Sequence, residues 1–171
     1  DCARRALCRP ALMRAVLDTN ILCSALLTPG GLTDRLYRAW REGRFQLLTC
    51  EEQLEEFRRV TRYPRLRPFI EPAAAGAMHN ELRRLAVLVV ELPVVDASQD
   101  PADNFLLAMA QAGEADVLVT GDKHDLLSLK VFQRTRIITA RQFLGQLGEK
   151  KKRSPKRKVT ASRRRKRKTS R

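Results

Sequence analysis

A short apolar run that stops on an aspartate constrains this chain more than any other feature. In Met13-Arg-Ala-Val-Leu-Asp-Thr-Asn20, Arg14 to Leu17 lead directly into Asp18, and helical spacing begins just beyond it. A run so short and so apolar lacks the alternation of a half-exposed strand. It reads as a central strand covered on both faces. Asp18 then stands at the carboxyl end of that strand, the edge where open α/β sheets bind ligands. The competing reading has Asp18 and Asn20 only capping the helix from Ile21 to Leu27.

The pattern recurs along the chain. After Pro29-Gly30-Gly31, Leu32 to Arg41 has helical spacing, and Phe45 to Thr49 reads as a second buried strand. Glu51 to Val60 is a third helix, stopped near Tyr63-Pro64, and Ala73 to Val89 a long fourth one. Pro93 to Gln99 is a connection with some strand character. Asn104 to Ala112 is helical with Gly113 at its end, Asp116 to Thr120 is a strand, and Arg136 to Thr139 with Ala140 to Leu147 close the series. Strands alternating with helices predict a three-layer α/β/α domain around a parallel sheet. Right-handed crossovers would then gather the strands' carboxyl ends on one edge.

Charge divides the chain. Of its 34 Lys and Arg, 14 fall between Lys150 and Arg171, where there is no acid. The rest of the chain holds 20 bases against 19 acids, a net charge of +1. The organisation expected is a loose leader over 1–12, a folded domain over 13–147 and a disordered basic tail over 148–171. The tail clusters are Lys150, Lys151, Lys152, Arg153, Lys156, Arg157 and Lys158, then Arg163, Arg164, Arg165, Lys166, Arg167 and Lys168. They suit sequence-independent contact with nucleic-acid phosphates, and no aromatic residue interleaves to stack bases. A solvated tail is the plain alternative. Cys2, Cys8, Cys23 and Cys50 form no CxxC pair or zinc-ligand spacing and read as reduced thiols of a cytoplasmic protein. No apolar run is long enough to span a membrane.

Four acids stand out by position. Asp18 and Asp122 each follow the last apolar residues of a strand, and Asp103 lies in the first turn of a helix. Glu56 falls at the flank of its helix's buried stripe of Leu54, Phe57 and Val60, whereas Glu55 points to solvent. Each has a structural alternative: Asp100 and Asp103 as a helix cap, Asp122 as the cap of a turn from Lys123 to Leu127, Glu56 as a partner of Arg59 or Arg62. Together they are harder to explain so. Two carboxylates brought to about 4 Å repel by about 4 kcal/mol at an effective dielectric of about 20. A hard divalent cation, Mg²⁺ or Mn²⁺, offsets that in an all-oxygen site and suits phosphodiester hydrolysis.

The chain from about 13 to 147 resembles the PIN domain family, and within it the toxin components of toxin–antitoxin systems. The residues that carry the resemblance are Val16-Leu-Asp-Thr-Asn20, Glu56 before Phe57-Arg-Arg-Val60, Asp100-Pro-Ala-Asp103-Asn-Phe-Leu, and Val119-Thr-Gly-Asp122-Lys. The resemblance implies a metal-dependent ribonuclease of α/β/α architecture, with Asp18, Glu56, Asp103 and Asp122 as catalytic metal ligands and Asp100 as a weaker fifth. Thr19, Asn20 and Thr120 would support them by hydrogen bonds. Cys50 stands where the family usually has Ser, a poorer cap, and His124 interrupts the usual run into an acid. His124 lies near the site, where a bound metal makes a general base unnecessary, and His79 reads as a surface residue. The implied partners are RNA and an antitoxin protein. Leu32, Leu36, Tyr37 and Trp40 also suggest an apolar face on the helices of 20–41 and 51–62 for an antitoxin or a homodimer. The main alternative is a non-catalytic RNA-binding protein with a PIN-like body and a basic arm. A dehalogenase-like phosphatase also sets an Asp after its first strand, but wants a second Asp where Asn20 stands.

Overall fold

A computed structural model describes residues 12–121 and 125–148. The leader to residue 11, the segment 122–124 and the tail from 149 lie outside the described residues, and with them Asp122, His124 and every tail cation named above.

The central strand β1 is Arg14–Leu17, and its last three residues are buried. Helices α1 (Thr19–Leu27) and α2 (Leu32–Arg41) carry the chain to β2, Gln46–Thr49. Then come α3 (Glu51–Val60), α4 (Pro72–Leu85) and β3, Val87–Leu88. A 3₁₀ turn, Pro101–Asp103, opens α5, Asn104–Ala112, which leads to β4, Val117–Val119. The chain closes with α6 (Leu126–Leu129), β5 (Val131–Phe132), β6 (Thr135–Ile138) and α7 (Ala140–Gln146).

The strands lie in the order β3-β2-β1-β4-β6-β5. All neighbours are parallel except β5, which pairs antiparallel with β6. Alternate strand residues serve opposite faces, as strand geometry requires. Leu17, Leu47, Val119 and Ile138 join one core with α1, α2, α3, α4 and α7. Val16, Leu48, Leu118 and Ile137 join a second core with α5 and Leu126. Two cores on the two faces of one sheet make the three-layer α/β/α architecture.

Several details differ from the expectations. The fourth helix ends at Leu85, not Val89: Ala86 turns extended, with ψ 158°, and Val87–Leu88 pairs with Leu48 and Thr49 as an edge strand. Pairing with β2, and not a break in the apolar pattern, makes this stretch a strand. The connection from Pro93 to Gln99 contains no strand. Strand β5 went unrecognised because two residues carry no period, and its turn at Gln133 (φ 53°) has no glycine to signal it. Gly113 closes α5 with φ −82°, so the left-handed cap is not its reason. A Cβ there would lie 2.6 Å from Leu48 Cδ1 and 2.9 Å from the Met109 carbonyl oxygen. The helix approaches the sheet too closely for any side chain. Leu36, Tyr37 and Trp40 are all buried in the core, so they leave no surplus apolar face on α2.

Candidate active site at the carboxyl edge of the sheet

From β1 the chain runs outward to β2 on one side, while β4 enters on the other. The gap between the carboxyl ends of β1 and β4 is therefore the topological switch point of the sheet, the usual ligand crevice. The register pairs Leu17 with Val119, which sets Asp18 and Thr120 side by side just past the ends of their strands. Thr120 Oγ1 donates to Asp18 Oδ2 at 2.7 Å. The Asn20 backbone amide donates to Asp18 Oδ1 at 2.9 Å, so Asp18 is also the N-cap of α1. Only 4% of Asp18 is exposed. Capping therefore accounts for one oxygen of this carboxylate, and Thr120 holds the other.

Glu56 comes to the same place from α3. Its Oε2 accepts from Thr19 Oγ1 at 2.5 Å, and Thr19 is the residue after Asp18. Arg59 stands 3.9 Å from the other oxygen, at the limit of an ion pair. The helical phase is as the sequence suggests: the Glu56 side chain is 25% exposed and that of Glu55 65%. Cys23, one turn beyond Thr19, shows what two carboxylates do to a neighbour. Burial first, then Glu56 and Asp18, push its thiol up to about 12. Burial likewise pushes Cys50 up to about 12. Neither is a thiolate nucleophile near neutral pH.

Gln53 is a residue the sequence did not single out. It is buried, donates from Nε2 to the Leu17 carbonyl at 2.6 Å and accepts from Thr49 Oγ1 at 3.0 Å. The β1–β2 register ends at Val16 and Leu48, and Gln53 supplies the next rung with a side chain. Its partner on β1 is 36 residues away, so no local pattern marks the role. Cys50, the actual N-cap, makes no side-chain cap bond.

The remaining acids sit further along the edge. Helix α5 runs back along β4, the strand it feeds, so its N-terminus lies at the carboxyl edge. Asp100 accepts from the Ala102 amide at 2.9 Å and is spent capping the 3₁₀ turn, with Pro101 at its first position. Asp103 is half-buried at the N-cap of α5 and makes no side-chain cap bond, so capping accounts for Asp100 and not for Asp103. Asn104, also missed in the sequence, accepts from the amides of Ala97 and Ser98 at 3.1 and 2.9 Å and fastens the incoming loop. Asp122, two residues beyond Thr120, lies outside the described residues. Among the described residues, no three His, Cys, Asp or Glu side chains gather closely enough to hold a metal ion. Asn20 is exposed, and its contribution to Asp18 comes from its backbone rather than its amide side chain. His79 is half-buried in α4 rather than on the surface.

Residues 14–124 match the family model for the PIN domain. The chain belongs to the PIN domain family. That span includes Asp18, Glu56, Asp103 and Asp122. A search of curated proteins finds no match. PIN domains are generally nucleases, so the crevice between β1 and β4 belongs to a nuclease-type fold acting on nucleic acid. Among the described residues, no helix is long and apolar enough to cross a membrane.

Proposed function

We propose that this PIN domain protein is a Mg²⁺- or Mn²⁺-dependent endoribonuclease and the toxin of a toxin–antitoxin pair, acting in the cytoplasm. The observation that carries the reading is the convergence of Asp18 and Glu56, joined through Thr19 at the switch point of the sheet. The donors are all oxygen, which fits a hard divalent cation rather than zinc or copper. Asp18, Glu56, Asp103 and Asp122 would hold it, with Asp100 the weakest candidate because its carboxylate already caps a turn. A bound cation supplies water activation and stabilises charge growing on the phosphoryl oxygens.

The chain's own residues do the positioning. Thr120 and the Asn20 amide fix the plane of the Asp18 carboxylate, and Thr19 fixes Glu56. Gln53 locks the end of β1 against α3, so the two carboxylates keep their spacing. The basic clusters from Lys150 to Lys168 would hold the RNA by its phosphates.

Asp18→Asn tests the reading, because it keeps the shape and removes one charge. RNA cleavage should fall by orders of magnitude, and Mg²⁺ or Mn²⁺ should raise the melting temperature of the wild type far more than that of the variant. Asp103→Asn and Asp122→Asn should act alike and non-additively with it. Glu55→Gln, on the outer face, should change little. Full cleavage by Asp18→Asn in Mg²⁺ would end the enzyme reading and leave an RNA-binding protein.

A further inference from the structure

A cavity of about 680 Å³ lies away from the acids, between α3, the turn of 63–70 and α4. Its apolar lining includes Phe57 and Ile70, and its charges are the guanidinium groups of Arg58, Arg62 and Arg67. No acid is among the lining residues. Arg58 has a loose contact with Glu55 at 3.9 Å, and among the described residues neither Arg62 nor Arg67 is in an ion pair. Three cations facing one cavity without carboxylates repel one another, which an anion relieves. His79 lines the same cavity, and its Nε2 is buried with no hydrogen-bond partner among the described residues. A buried ring nitrogen without a partner costs about 1–3 kcal/mol, so a ligand that supplies one is favoured.

We infer that this cavity binds a phosphorylated nucleotide, with the phosphate on Arg58, Arg62 and Arg67, the base over Phe57 and Ile70, and a base edge on His79 Nε2. The volume lies in the range of small-ligand sites, about 300–1,000 Å³. Planar guanidinium forks match a phosphate, and an apolar floor with one polar contact matches a flat base. An acidic peptide would satisfy the arginines but gives no reason for a concave pocket with one buried polar point. The nucleotide has two sources, a free mononucleotide or one unit of an RNA strand. At about 100° per residue, Arg58 lies on the side of α3 opposite Glu56, and Arg62 follows just past the end of that helix. A strand leaving the acidic crevice would cross that helix to reach the cavity, and only this source rests on the nuclease reading.

The test uses the full chain, so that tail charges are the same throughout, at about 0.15 M salt with EDTA to prevent cleavage. Calorimetric titration would compare adenosine 5′-monophosphate, inorganic phosphate, a short RNA oligonucleotide and a glutamate-rich peptide. Two variants probe the cavity. Arg62→Gln with Arg67→Gln removes charge. Gly76→Phe fills the space and keeps every arginine, since a Cβ at Gly76 meets nothing within 4 Å. Melting curves confirm that both fold.

The expected result is that wild type binds the mononucleotide more tightly than phosphate, and that each variant weakens it at least about tenfold, one by removing charge and the other by excluding the ligand. A matching loss for the oligonucleotide, with KM for RNA raised and kcat unchanged in Mg²⁺, assigns the site to the RNA strand. An unchanged KM assigns it to the free mononucleotide. Equal binding by wild type and both variants overturns the proposal. So does phosphate binding as tightly as the mononucleotide, or peptide binding that needs the arginines while the mononucleotide fails. If Asp18→Asn cleaves normally, the nuclease reading fails and the mononucleotide titration stands untouched.

Discussion

At the scale of single residues, the site owes its geometry to short polar side chains placed just past the carboxyl ends of β1 and β4. Thr19 follows Asp18 and holds Glu56, while Thr120 follows β4 and holds Asp18. Thr19, at the start of α1, thus reaches α3, and Thr120, just past β4, reaches the end of β1. The buried thiols give a pH prediction at this scale. Burial raises Cys50 from 9.0 to about 12, so the folded state keeps a proton that the unfolded chain loses earlier. The stability this gives is fully present below about pH 9 and is lost as pH rises toward 12. The melting temperature of the wild type should therefore fall more steeply between pH 9 and 11 than that of Cys50→Ala. Parallel slopes would show that the thiol does not titrate in that environment.

At the scale of elements, the fold depends on close approaches between helices and the sheet. Gln53→Ala would strand the Leu17 carbonyl inside the protein, at a cost of about 1–3 kcal/mol. Since the same bond locks α3 to the end of β1, nuclease activity should fall with it, and Gln53→Glu should not restore it. Gly113→Ala puts a methyl 2.6 Å from Leu48 Cδ1 and 2.9 Å from a backbone oxygen, and only the first neighbour can move. Overpacking of this kind costs about 1–3 kcal/mol. Urea unfolding of both variants reads the losses, and wild-type midpoints would remove the argument.

At the scale of the whole molecule, a body of net charge +1 is joined to a segment with 14 bases and no acid. The division of labour expected is chemistry in the body and affinity in the segment. If about five of those charges contact single-stranded RNA, affinity should fall about a hundredfold between 50 and 200 mM salt. Removing residues 149–171 should flatten that dependence and leave the positions of cleavage unchanged. A different cleavage pattern in the shortened protein would move selectivity into the basic segment.

The sequence by itself determined the layered α/β/α order and the places of Asp18 and Glu56. Buried parallel strands leave uninterrupted apolar runs, and helices leave a 3.6-residue period, so both signals are local. The Glu55–Glu56 distinction needed nothing more than helical phase. The tertiary structure decided what depends on contacts between distant residues. Strand pairing made Val87–Leu88 a strand where the local pattern continued a helix. The register of β1 on β4 chose Thr120 as the partner of Asp18, 102 residues away. Gln53 took up a strand-end carbonyl 36 residues away, and Leu36, Tyr37 and Trp40 became core rather than surface. None of these could be read locally, because a side chain's partner is set by the packing of elements that the intervening chain brings together, and not by its neighbours in sequence.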